Sequence, residues 1–394
     1  MKRVRAGMWT VVLAMASSAV PALPARAQAP AASALDTAPL LVVAAIRARE
    51  VAGRLQGRAA APRTPAARTA ATQYARGLDL LAQGKFDSAQ TALNAAATAS
   101  PDNALYRGDL AFAFAAGGHW SDAEDQYRTA VRLQQGNGWY YVGLGMTQMA
   151  QQAWGQAAAS FTLAVGTDSA VIVRQLIEPV GDAFEKSRNT QALVDWSKMA
   201  VARFPGEPSA WLRLAAANMG NDTAAGLADI RHYRALRPAD PMGALVYARY
   251  LYDMGSYDSA GTMAEAAAAS DSAMHRPAAV LLYNAGAHYL ETAKADSAEP
   301  LLEAGRTFAD SADKPRYALL IGVAKLKLFQ VFYNDAARHG DCHKAPAADS
   351  MLTAVVQLIN SGAAEDTALA NQALKGTSQY RPVVDQFVHQ CGGR

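Results

Sequence analysis

Much of the chemistry that marks an enzyme is missing from this chain. Its 394 residues contain no Gly-rich phosphate loop, no HExxH, no GxSxG and no CxxC. The local motifs of phosphate-binding, zinc-protease, α/β-hydrolase and dithiol chemistry are therefore missing. The acids are scattered, and no pair stands out as a general acid/base couple. His119 reads as a turn residue beside Trp120, and His288 as a surface or groove residue beside Tyr289. No catalysis is expected, and no cofactor or bound metal. A run of alternating β-branched residues long enough for a sheet is also absent. So is any extended basic face. Lys2, Arg3, Arg5 and Arg26, with seven arginines against two acids (Asp36, Glu50) in 28–76, more than account for the formal +3, so the rest is net acidic. That argues against nucleic acid as the main partner.

What the first residues do contain is the layout of an export signal. Lys2, Arg3 and Arg5 form a basic start, Met8 to Val20 is apolar, and Ala25-Arg26-Ala27 is a small-x-small cleavage site. Cleavage after Ala27 is expected, with Gln28 beginning the mature chain and a periplasmic or secreted location. The apolar run is short for a membrane span, no later segment reads as one, and no Cys near the cleavage site suggests a lipid anchor. Residues 28–69 are rich in Ala, Pro and Arg, and Ala59 to Ala71 reads as a flexible linker. Within 28–69, Pro39 to Arg58 is either a helix that caps the first repeat, or disorder, or an arm whose Arg47, Arg49, Arg54 and Arg58 rest on an anionic surface.

The stretch Ala70 to Val171 carries one 34-residue pattern three times. Gly77, Ala111 and Gly145 are in register; so are Phe86, Trp120 and Trp154; Ala89, Ala123 and Ala157; Leu93, Tyr127 and Phe161; and Ala96, Ala130 and Ala164. The small columns suit positions where two helices touch, and the large ones fill space against the next pair. In the first repeat, Thr72 to Ala82 reads as helix closed by Gly84, with Asp87 and Ser88 capping a second helix. Further on the period drifts: Gly145 to Gly181 is 36, a fifth repeat begins near Ser209 with a poorly matching second helix at Thr223 to Leu236, and the pattern recovers at Ala248 to Ala267 and Gly286 to Leu302. Asp-Ser-Ala recurs at 87–89, 258–260 and 296–298, where second helices should start, and reads as capping.

These residues resemble the tetratricopeptide repeat family: Leu-Gly or its equivalent in the first helix (Leu110, Ala111; Leu144, Gly145), then aromatic, Ala, large residue and Ala in the second, with Pro101 ending the first repeat. The resemblance implies an all-α, right-handed superhelical solenoid of about seven antiparallel helix pairs over 70–310. It also implies a concave face lined by first helices, here Tyr74, Leu78, Leu81, Phe112, Trp139, Val142, Met146, Met149, Tyr283 and Leu290, apolar and aromatic and suited to a peptide. The Lys/Asn clamp that some members use for acidic tails is not present, since those positions hold Tyr74, Leu78, Gly108 and Phe112. The expected function is an exported, non-enzymatic scaffold or adaptor for a protein or peptide of the cell envelope. A glycan-binding module using Trp139, Tyr140 and Tyr141 as stacking platforms, or a structural spacer, are the other readings. Oligomeric state and partner identity do not follow from the sequence.

Residues 311–394 read as a helical C-terminal cap, either alone or around a divergent eighth repeat, with helices at Tyr317–Ala337, Pro346–Ile359, Ala364–Leu374 and Val383–Val388. Both cysteines, Cys342 and Cys391, lie there. An even count behind an export signal favours a disulfide; a metal site with His339, His343 and His389 is the rival, at a spacing unlike standard zinc motifs.

Overall fold

The computed structural model describes residues 34–56, 64–219 and 221–392. The expected leader, Met1 to Ala27, and the cleavage site lie outside them, as do residues 57–63. Among the described residues there are eighteen α-helices and no strand, and no helix is long and apolar enough to cross a membrane. The chain divides into two compact units, one ending at Asp222 and the other beginning at Thr223.

The N-terminal unit holds α1 (Ala34–Gln56), then the pairs α2 (Pro65–Ala82) with α3 (Phe86–Ala99), α4 (Ala104–Ala116) with α5 (Trp120–Leu133), α6 (Gly138–Ala150) with α7 (Trp154–Thr167) and α8 (Ile177–Lys186) with α9 (Thr190–Arg203), and finally α10 (Pro208–Asn218). The short turns make each pair antiparallel. The small columns sit where the paired helices meet: a Cβ on Gly77 would lie 2.5 Å from Leu93 of the partner helix, and Ala89, Ala96, Ala123, Ala130, Ala157 and Ala164 are all buried. Leu93, Tyr127 and Phe161 are buried in the large column. The two extra residues of the 36-residue step fall in a pair of 3-10 turns, Ser169–Val171 and Arg174–Leu176, between α7 and α8.

Every first helix of these pairs closes with a left-handed residue: Gly84 (φ 71°), Gly118 (80°), Gln152 (60°) and Arg188 (58°). The next residue's N–H then returns to the helix, as in Lys85 N–H to Leu80 O and His119 N–H to Phe114 O, both 2.9 Å. This geometry corrects the capping assignment for Asp-Ser-Ala. The second helices start one residue earlier, at Phe86, Tyr257 and Ala295, and their N-cap residues Lys85, Ser256 and Lys294 make no side-chain cap bond. The aspartates sit inside the first turn, where they complement the helix dipole. Asparagine side chains cap the first helices α4 and α6, where Asn103 accepts from Leu105 N–H at 3.0 Å and Asn137, 34 residues on, accepts from Trp139 N–H at 3.3 Å. The linker assignment is corrected too. Residues 65–71 are helical, because Thr64 caps α2 by accepting from Ala67 N–H at 3.1 Å and Pro65 fits the first turn.

The C-terminal unit contains α11 (Thr223–Leu236), the pairs α12 (Pro241–Asp253) with α13 (Tyr257–Ser270) and α14 (His275–Glu291) with α15 (Ala295–Phe308), then α16 (Lys314–His339), α17 (Ala345–Gly362) and α18 (Thr367–Gly392). The long helices α16 and α17 form a further pair, covered by α18 over a core that includes Leu326, Phe329, Tyr333, Leu352, Val355 and Val384. Ala364–Leu374 and Val383–Val388, expected as separate helices, are parts of the single helix α18. Pro382 lies inside it. Packing holds the chain helical on both sides of that proline, through Ala370 and Ala373 before it and Val384 and Phe387 after it, and Tyr333 O–H donates to Val383 O at 3.1 Å. Cys342 and Cys391 are joined in a disulfide with Cα atoms 5.2 Å apart, tying the end of α18 to the turn between α16 and α17.

Candidate functional site

Helix α1 determines what the first helices of the N-terminal unit can do. Its buried residues Leu41, Ala44, Ala45, Ala48, Val51 and Ala52 recur at helical spacing, so one face is small and apolar. Of the three readings of this stretch, a cap on the first pair, disorder or a surface arm, none describes its main contacts. The face packs on α4 and α6, the first helices of the second and third pairs. Five of the residues expected to line an open groove, Phe112, Trp139, Val142, Met146 and Met149, are consequently buried in one core with Leu41, Ala44, Ala45, Ala48 and Val51. Met146 is fully buried and Phe112, the most exposed of the five, shows only 8% of its surface. The face is covered by a helix of the same chain.

A polar cluster holds this helix. Asp109, on α4 and 2% exposed, accepts from Arg49 Nε through both carboxylate oxygens at 2.9 Å and from Tyr74 O–H at 2.6 Å. Burial pushes the Asp109 carboxyl above its usual range, and the Arg49 charge opposes that. For Arg49, burial works downward, while the charge and hydrogen bonds of Asp109 together leave the guanidinium above its usual value. Close by, a Cβ on Gly108 would lie 2.4 Å from the Tyr140 ring, and one on Gly143 2.4 Å from the Tyr127 ring. Those two glycines let both phenols approach the carboxylate. Burial, and then the Asp109 charge, raise Tyr74, Tyr127 and Tyr140 alike. The Tyr127 hydroxyl is buried without a hydrogen-bond partner. One residue before Arg49, the Ala48 carbonyl accepts from Asn137 Nδ2 at 3.0 Å, so the residue that caps α6 also grips the α1 backbone.

The other expected lining residues are dispersed. Tyr74 joins the site through Asp109 and stacks on Tyr106 with ring centroids 4.5 Å apart. Leu78 and Leu81 are half-buried on α2. Tyr283 and Leu290 belong to the C-terminal unit, where Tyr283 packs edge-on against Tyr317 at 5.1 Å beneath the Arg316 guanidinium and Leu290 is buried. Trp139 and Tyr140 are buried and Tyr141 is half-buried, so they do not form the exposed stacking platform that the glycan reading needs. Among the described residues no cluster of three or more His, Cys, Asp or Glu side chains is placed to hold a metal ion.

The sequence reading does not reach Asp109 or Asn137, and it reaches Arg49 only as one of four arginines of a surface arm, not as the partner of a buried carboxylate. A lone acid directly before the apolar run Leu110 to Ala116 is a signal for Asp109; Arg49, sixty residues away, is one of seven arginines in its stretch, and nothing local marks it as that acid's partner.

Known proteins are similar to this chain over part of its length. A family model described as tetratricopeptide repeat matches residues 80–144. No curated protein matches the sequence. Solved structures with similar folds include YrrB, titled a TPR protein with an unusual peptide-binding site (13% identity over 45% of this chain and 92% of that one, TM-score 0.40). Others are a tetratricopeptide repeat protein from Parabacteroides merdae (14%, 65% and 99%, TM-score 0.39) and the C-terminal part of a TPR repeat-containing protein from Cytophaga hutchinsonii (12%, 60% and 96%, TM-score 0.44). The matched segment, and the helix pairs repeating every 34 residues around it, are thus similar to tetratricopeptide repeats.

Proposed function

We propose that this chain is an exported, non-enzymatic scaffold that holds a protein or peptide partner of the cell envelope on the face formed by α4 and α6. The observation that carries the reading is that this face already binds a helix. Its apolar residues Phe112, Trp139, Val142, Met146 and Met149 close over α1, and helix-in-groove recognition uses the same surface chemistry. Export is supported by the basic start, apolar run and Ala25-Arg26-Ala27 site, and by the Cys342–Cys391 disulfide, which suits an oxidising compartment.

The test uses the mature chain, 28–394, as bait in an envelope extract, beside a form carrying Leu55→Cys and Gly136→Cys. A Cβ at Gly136 would lie 3.7 Å from Leu55 Cδ1; thiol titration after oxidation shows whether the two cysteines have joined, and the joined form holds α1 down. A protein captured by the parent and lost on locking supports the face as the binding site. A protein held equally by both puts the site elsewhere, and capture of nothing by either form removes the scaffold reading. Cell fractionation with N-terminal sequencing tests export; a chain starting at Met1 in the cytoplasm would overturn it.

A further inference from the structure

The contacts of α1 are those of a bound ligand more than those of a repeat. Each paired helix packs on its neighbour in the chain, whereas α1 passes over its neighbour α2 and lies on α4 and α6. Seven residues, 57–63, separate it from Thr64. What the face recognises in α1 is specific. Alanines at 44, 45, 48 and 52 let the helix sit close, Leu41 and Val51 fill the ends, and a single arginine meets a buried carboxylate. Arg49 meets it incompletely: of its contacts with Asp109, only Nε donates, shared between the two oxygens, where a guanidinium can form a two-pronged fork. The Tyr127 hydroxyl beside the cluster is buried and unpartnered. The site therefore has hydrogen-bonding capacity that α1 leaves unused.

We propose that α1 is a displaceable internal ligand, and that the partner held on this face is a helix of another protein with the same chemistry. It would carry small residues at the places of Ala44, Ala45, Ala48 and Ala52, a large apolar residue at that of Leu41, and an arginine that takes Asp109. This rests on the scaffold reading and names the partner class for that same face. Arginine is selected over lysine because two carboxylate oxygens and a nearby phenol suit a planar fork. A neutral helix is disfavoured because it would leave Asp109 buried and unpaired. A helix tethered by so short a link faces the groove at an effective concentration on the order of millimolar, so α1 screens out weak competitors and yields only to a partner that fits better or is locally abundant.

A labelled peptide of residues 34–56 is the probe, titrated by fluorescence anisotropy against the mature chain. Arg49→Ala in the chain weakens the internal competitor, and peptide affinity should rise about tenfold or more over the parent. Arg49→Ala in the peptide should cost a similar factor against chains with Asp109, and little against Asp109→Asn; that coupling would not arise if Asp109 were only a structural residue. The Leu55→Cys/Gly136→Cys chain, which keeps every contact of the cluster, should bind the peptide at least about tenfold more weakly oxidised than reduced, with the parent under the same reductant as control for Cys342–Cys391. Equal affinity of the two peptides for the Asp109 chain, or equal binding by the oxidised and reduced lock, overturns the proposal. So does a dimer formed by exchange of α1 between copies, which would assign the face to self-association. If the peptide fails while the bait still captures a protein, this inference falls alone; if the peptide binds and no protein is captured, the scaffold reading falls.

Discussion

Replacing Arg49 by alanine should release α1 without unfolding the helix pairs beneath it. Asp109 is 2% exposed and receives its cationic partner from α1. Removing one member of a buried charge pair costs about 3–5 kcal/mol when nothing can rearrange. Here something can, because detaching α1 returns Asp109 to water. What detachment forfeits is the burial of Leu41 and Val51, each on the order of 1.5–3 kcal/mol, with less for each alanine methyl, against the ordering entropy regained by the helix backbone. Loss of the Arg49 pairing therefore shifts α1 towards the undocked state. Amide-exchange protection over α1 should fall about a hundredfold or more at neutral pH, while protection in α5 and α7 and the main urea midpoint change little. Acid should reverse the effect. Burial raises the Asp109 carboxyl above the ordinary 3.8, and without Arg49 nothing on α1 opposes the rise. A raised folded value means stability that is full below the unfolded value and lost as pH climbs through the folded one. Docking of α1 in the variant should accordingly strengthen as pH falls from 7 towards 4. Adding Asp109→Asn should restore much of the protection at pH 7. Unchanged exchange in α1, or loss of the whole N-terminal unit together with it, would refute the reasoning.

Three further outcomes follow from the packing. Leu93→Ala empties a fully buried site against Gly77 and should cost about 3–5 kcal/mol in urea unfolding of the N-terminal unit; a cost under about 1 kcal/mol would mean that the helix pair collapses onto the space. Ala293, at φ 60° in the turn that ends α14, should gain up to about 1 kcal/mol on replacement by glycine, since left-handed backbone strains a side chain, and a lower calorimetric midpoint would count against that account. Cys391→Ser opens a link spanning 49 residues and should lower the stability of the C-terminal unit by up to about 4 kcal/mol, with exchange rising first at the end of α18; exchange rising elsewhere first would show that packing, not the disulfide, anchors that helix.

The parts of this fold that were legible in the sequence are the parts that repeat. Gly77, Ala89, Leu93 and Ala96 recur at 34 residues because each pair meets its neighbours in the same way, so one packing constraint is written three times over. The turn was legible at Gly84, but not at Gln152, Arg188 or Ala293, which adopt the same left-handed backbone with side chains that do not advertise it. The break expected between Leu374 and Val383 does not occur: proline usually ends a helix, but Pro382 lies inside α18, and tertiary contact through Val384 and Phe387 holds the chain helical beyond it. The candidate site was half legible. The apolar face of Phe112, Trp139, Val142, Met146 and Met149 could be assigned to first helices by register, but register says nothing about what covers that face. The answer lies in a pairing between Arg49 and Asp109 that occurs once and spans sixty residues of chain. A contact made once has no period, and it is contacts of that kind that distinguish one array built from these helix pairs from another.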